Sequence, residues 1–154
     1  MPIAWLTWLI RAAITALAAV ATYTDIRTRE IPDWVTLPPL GLGLLVFAWR
    51  LHWLGVALWG AGMVAAALPT LLPWLLGGFG GGDFKMTLAL GALGGPWFAL
   101  ASLFWSIVSG ALLFAGWAAL RGRRAVHDDP PPFAVALGTG ALVALALTLG
   151  LAMR

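Results

Sequence analysis

Long apolar blocks alternate with short polar loops along this chain. Residues 3–24 contain one charged side chain, Arg11. Residues 34–49, 54–76, 86–120 and 130–153 contain none, and Arg50 and His52 stand between the first two of these. A helix needs roughly 20 apolar residues to cross a bilayer core of about 30 Å. The block 86–120 would be roughly 52 Å long as one helix, too long for a single straight crossing. Gly94-Gly95-Pro96-Trp97 supplies a break within it, which divides it into helices at about 84–99 and 100–120. The first of these is short, and short or broken helices at membrane depth line a cavity or pack within protein. The pattern predicts an all-α, polytopic membrane helix bundle of about six transmembrane helices, the fourth short or broken.

Composition agrees with lipid as the solvent. The 154 residues are 62% hydrophobic and 10% charged, against about 25% charged in soluble domains, and mean hydropathy is +0.95. With no cysteine in the chain, a disulfide framework and a cysteine zinc site are excluded. His52 and His127 are isolated, so no metal is expected, and no cofactor or nucleic-acid partner either. Six crossings put the loops 25–33, 77–85 and 121–129 on one side, with Arg27, Arg29, Lys85, Arg121, Arg123 and Arg124; Arg50 and Arg154 lie on the other. The excess of Lys and Arg assigns the first side to the cytoplasm. Trp5, Trp34, Trp49, Trp53 and Trp97 fall near block ends, as an interfacial belt requires. Arg11, within the first block, should face the bundle interior.

Chemistry concentrates in two of the cytoplasmic loops. Asp83 follows Gly80-Gly81-Gly82 at the mouth of one block, and Asp25 ends another. Acids near membrane depth are costly and are functional candidates by default. Both could instead be ordinary loop acids paired with Arg27 and Lys85. The glycines weigh against that, because Gly permits close backbone approach and positive φ, so an extended peptide would fit against the loop.

Three segments together resemble the type IV prepilin peptidase family. Gly80-Gly81-Gly82-Asp83 fits its G-x-G-D motif. Asp25, followed by Ile31-Pro32, is similar to its other aspartate segment, although this chain has Asp33 where the family often has Asn. Pro132-Phe133-Ala134 and the residues after it look like the opening of its last helix. The resemblance covers nearly the whole chain and implies a single membrane-embedded aspartic peptidase domain over 1–154. It is similar to the short form of the family, without the N-terminal methyltransferase region. The implied activity is removal of a short basic leader from pilin-like precursors at the cytoplasmic membrane face, and the implied partners are such a precursor and the lipid bilayer. The implied catalytic residues are Asp25 and Asp83, with Gly80, Gly82 and Lys85 shaping the site or touching substrate.

Two nearby carboxylates do not both ionise easily, so such a pair holds one proton. The ionised member would take a proton from water and the other would donate to the scissile carbonyl. Asp83 heads a helix, where the dipole favours an anion, and Asp25 ends one; on that ground Asp83 is expected to be the base and Asp25 the acid. Glu30, Asp33, Asp128 and Asp129 are candidates to attract a basic leader. Gly82→Ala is expected to do harm at the substrate path, and Gly77→Ala or Gly78→Ala little. From another class, a small transporter or assembly subunit with two acids binding a cation also accommodates broken helices, but both acids sit at one face rather than the midplane.

Overall fold

A computed structural model of the chain describes residues 4–122 and 130–152. Arg123, Arg124, His127, Asp128, Asp129 and Arg154 lie outside the described residues. Among the described residues four helices follow in order: α1 (Ala4–Thr28), α2 (Asp33–Leu75), α3 (Gly81–Arg121) and α4 (Phe133–Ala152). No strand occurs among the described residues. The first three helices are long and apolar enough to cross a membrane, and α4 is apolar too.

Both long helices break where the sequence suggests. In α2 the backbone leaves helical geometry at His52 (φ 53°, ψ −130°). The chain then turns back on itself: Trp59 Nε1 donates to the Leu40 carbonyl at 3.0 Å, whereas 19 residues of straight helix would separate them by about 28 Å. Gly55 permits the turn, since a Cβ there would strike the Phe47 carbonyl. In α3 the break is at Gly95 (φ 78°), a left-handed conformation that glycine adopts without a Cβ penalty, and Pro96 follows it. Six helical segments result, and the one before Gly95 is the short one.

That short segment, residues 81–94, is the centre of the bundle. Met86, Ala89, Leu90, Ala92 and Leu93 on it are almost fully buried. Small residues let its neighbours close in. Gly62 of α2 and Gly91 of α3 meet backbone to backbone, and Gly43 lies against the Ala92 carbonyl. On the other side, Gly138 of α4 accommodates Thr22 and Ala18 of α1. Such approaches replace the hydrophobic drive that is missing between helices in lipid. Between α3 and α4, Ser109 Oγ donates to the Ala136 carbonyl at 3.0 Å.

At the end of the bundle away from Asp25 and Asp83, Trp5, Trp8, Trp49, Trp53 and Trp97 are all exposed. Arg11 is half-buried on α1, with its guanidinium 5.1 Å from the Trp8 ring. It lines an interior cleft, which agrees with the inward-facing expectation.

Candidate active site

Asp25 sits in the last turn of α1 and is 9% exposed. The Arg29 N–H bonds back to its carbonyl at 2.9 Å, and Arg29 itself takes positive φ (58°). That residue ends the helix and turns the chain into the non-helical Glu30-Ile31-Pro32 stretch. Pro32 (φ −72°, ψ 154°) is the N-cap of α2. Its pyrrolidine fixes φ and disfavours helix at the residue before it, so α1 and α2 cannot fuse.

The partner of Asp25 comes from the far end of the sequence. Asp25 Oδ2 accepts the backbone N–H of Ala134 at 3.0 Å, a buried contact. Ala134 is in the first turn of α4, where N–H groups have no intrahelical acceptor. Prolines 130–132 precede this helix and favour its start there. Thr22, one turn before Asp25, donates through Oγ1 to the Ala134 carbonyl at 3.1 Å. Both backbone groups of one residue are thereby clamped by one face of α1. Arg29 Nη1 donates to the Pro130 carbonyl at 2.5 Å, tying the adjacent loop to the same corner.

Asp83 is at the third position of α3, with Gly80 as N-cap. Its carboxylate accepts the Gly80 backbone N–H, the reach-back half of a capping box. Its Oδ1 is buried without a hydrogen-bond partner among the described residues. Asp25 and Asp83 line one cavity of about 390 Å³, together with Arg29, Glu30, Asp33 and the three glycines.

The structure brings Asp25, Asp83, Gly80 and Gly82 together around one cavity; Lys85 does not line it but pairs with Asp33, which does. Lys85 Nζ pairs with Asp33 Oδ1 at 2.5 Å, with both side chains about half exposed. The reading of Asp25 and Asp83 as acids neutralised by Arg27 and Lys85 therefore fails: Arg27 stacks on Tyr23 at 5.4 Å. Asp25 also has a different electrostatic setting from the one its place on α1 suggests. It ends α1 but also faces the N-terminus of α4, and the direct N–H contact there favours an anion.

The glycines divide in an unexpected way. Gly77 has φ 74° and closes α2 as a left-handed cap, its N–H on the Trp74 carbonyl. Gly80 to Gly82 have no positive φ. A Cβ on Gly82 would lie 2.9 Å from Ile31 Cβ and 3.2 Å from Ile31 N, and one on Gly80 would lie 2.8 Å from Asp83 Oδ2. Gly82 thus seats the buried Ile31 against α3, so the two aspartate segments touch through the Ile-Pro element. Sequence reasoning missed Ala134 as a ligand of Asp25; the proline run marks the helix start that puts it there.

Residues 12–115 match the type IV leader peptidase family. A prepilin leader peptidase/N-methyltransferase of Stutzerimonas stutzeri is 37% identical over 128 residues, 79% of this chain and 43% of that protein. One from Bacillus subtilis is 32% identical over 137 residues, 84% of this chain and 52% of that protein. The chain thus spans about half the length of these relatives. No solved structure matches it significantly. With the family matched across both aspartate segments and the relatives aligned over most of its length, the chain belongs to the type IV leader peptidase family.

Proposed function

We propose that this chain is a membrane aspartic endopeptidase that removes the short basic leader from type IV pilin-like precursors, with residues 1–154 acting as one domain. The observation that carries the reading is the shared cavity of Asp25 and Asp83, two acids from different helices held by helix-terminal N–H groups. Two carboxyl groups facing one space are the minimal equipment for water activation without a covalent intermediate.

The geometry favours Asp25 as the ionised member, because Ala134 N–H stabilises its charge. Asp83, whose buried Oδ1 has no hydrogen-bond partner among the described residues, is then the proton donor. This reverses the assignment that helix position alone suggests. Asp25 takes a proton from water as its oxygen attacks the scissile carbonyl carbon. Asp83 gives its proton to the carbonyl oxygen. Collapse of the tetrahedral adduct breaks the C–N bond: one hydroxyl proton returns to Asp83 as the carbonyl reforms, and the proton on Asp25 goes to the leaving amine. Carbon-13 NMR of the aspartate side-chain carboxyls tests the roles in the wild-type protein. Asp25 should resonate as a carboxylate and Asp83 as an acid, and the opposite pattern would refute the assignment.

Six crossings follow from reading the segments on either side of His52 and of Gly95 as separate spans. Arg27, Arg29, Lys85 and Arg121 then share the face of the site, which is the cytoplasmic face by the positive-inside rule. The precursor's apolar helix would lie in the bilayer with its leader meeting the acids. Glu30 and Asp33 beside them suit a basic leader. The test is reconstitution of the purified chain in vesicles with a pilin-like precursor, with the products read by mass spectrometry. Cleavage at the junction of leader and apolar helix is expected; no cleavage there would overturn the reading.

A further inference from the structure

A second cavity of about 410 Å³ opens at the opposite end of the bundle, among all four helices. That volume is within the usual range for a ligand site. Its wall is mostly apolar, with Ile14, Leu93, Phe98 and Leu145 among the lining residues, yet Arg11 and Arg50 both line it. Among the described residues the acids are Asp25, Glu30, Asp33 and Asp83, and all four line the cavity at the other end. The two guanidinium groups therefore face an apolar space to which none of the described acids contributes a carboxylate.

Depth sharpens the problem. Arg11 is 14 residues before Asp25 on the same helix, about 21 Å along its axis, within a bilayer core of about 30 Å. A cation there needs a counter-charge or a route to the headgroups. The exposed Trp8, Trp49, Trp53 and Trp97 put the mouth of the cleft at headgroup level. A site that combines two cations, a headgroup-level mouth and an apolar wall matches an amphiphile with an anionic head. A free inorganic anion would leave the apolar wall unused.

We propose that this cleft binds an anionic phospholipid of the leaflet opposite the aspartate site, its phosphate between Arg11 and Arg50 and its acyl chain along the apolar wall. The lipid supplies the missing counter-charge and fills the gap between α1, the His52 turn and the Gly95 break. It bridges the ends of segments that break at both places.

Native mass spectrometry of the full chain released from micelles tests this, with titration by phosphatidylglycerol and by phosphatidylcholine of identical acyl chains. Phosphatidylglycerol should bind at least about tenfold more tightly. Arg11→Gln and Arg50→Gln should each lose about tenfold of that affinity, the scale of one charged hydrogen bond, and Arg11→Lys should retain most of it. Arg121→Gln at the other end should change nothing. Inorganic phosphate should not compete. Equal binding of the two lipids, an equal loss in Arg121→Gln, or full competition by inorganic phosphate would each overturn the proposal. Should Arg11→Gln fail to fold, the exposed Arg50 decides the matter alone.

Discussion

Adding one methyl group at each glycine of the loop before Asp83 should give an uneven profile of damage. At Gly82 the new Cβ would lie 2.9 Å from Ile31 Cβ, whereas carbon atoms rest at about 3.5–4.0 Å. Relief requires a displacement of roughly 0.6–1.1 Å, either of Ile31 or of the first turn of α3. Ile31 belongs to the strap leading from Asp25, and the first turn of α3 carries Asp83, so the movement changes the spacing of the two acids. Misplacement by about 1 Å costs on the order of a hundredfold in rate. Gly80→Ala should be comparably harmful, because its Cβ would meet Asp83 Oδ2 at 2.8 Å. Gly81 is the internal control: its Cβ would find nothing closer than Trp74 Nε1 at 3.8 Å. Gly78→Ala, with the Pro73 carbonyl at 3.6 Å, should also be mild. Gly77→Ala should cost about 1 kcal/mol of stability from its positive φ, with little effect on chemistry. The assay is single-turnover cleavage of a pilin-like precursor by each variant in vesicles, normalised to inserted protein. Equal loss in Gly81→Ala and Gly82→Ala, or a flat profile, would refute the packing argument.

Lys85→Met removes a half-exposed ion pair with Asp33, worth at most about 1 kcal/mol; cleavage should fall only severalfold, and a loss beyond a hundredfold would put Lys85 in the chemistry. Thr22→Val removes the hydrogen bond to the Ala134 carbonyl and loosens the residue that holds Asp25, so cleavage should drop by about tenfold or more and recover in Thr22→Ser; wild-type rates in Thr22→Val would deny it a positioning role. Single cysteines at positions 28 and 79 should resist an impermeant thiol reagent applied outside intact cells, while one at position 53 should react. Labelling in the reverse sense would invert the topology.

Much of the architecture was legible in the sequence because lipid imposes simple rules. Charge-free blocks marked the helices, and Gly94-Gly95-Pro96 marked the break in α3, which the structure puts at Gly95. The turn at His52 was legible only as a gap between two apolar blocks, since nothing in His52 itself announces a positive φ. The two aspartates were legible as a pair through their end-of-block positions and motifs. The contact of Asp25 with Ala134 was not, because it joins residues at opposite ends of the chain through a backbone group, which leaves no side-chain signature. The same holds for Gly82: sequence shows a flexible glycine, whereas the structure shows a close fit against Ile31. The pairing of Lys85 with Asp33 was hidden for the same reason, since the two are 52 residues apart in sequence.

The central claim is that Asp25 and Asp83 act as one catalytic unit, and single-turnover cleavage by Asp25→Asn, Asp83→Asn and the double variant tests it most directly. Each single variant should remain inserted and bind precursor, yet lose cleavage by several orders of magnitude. The double variant should be no slower than the worse single one, because groups that act as a unit are strongly non-additive. Substantial cleavage surviving in either single variant, or losses that multiply in the double one, would contradict the account.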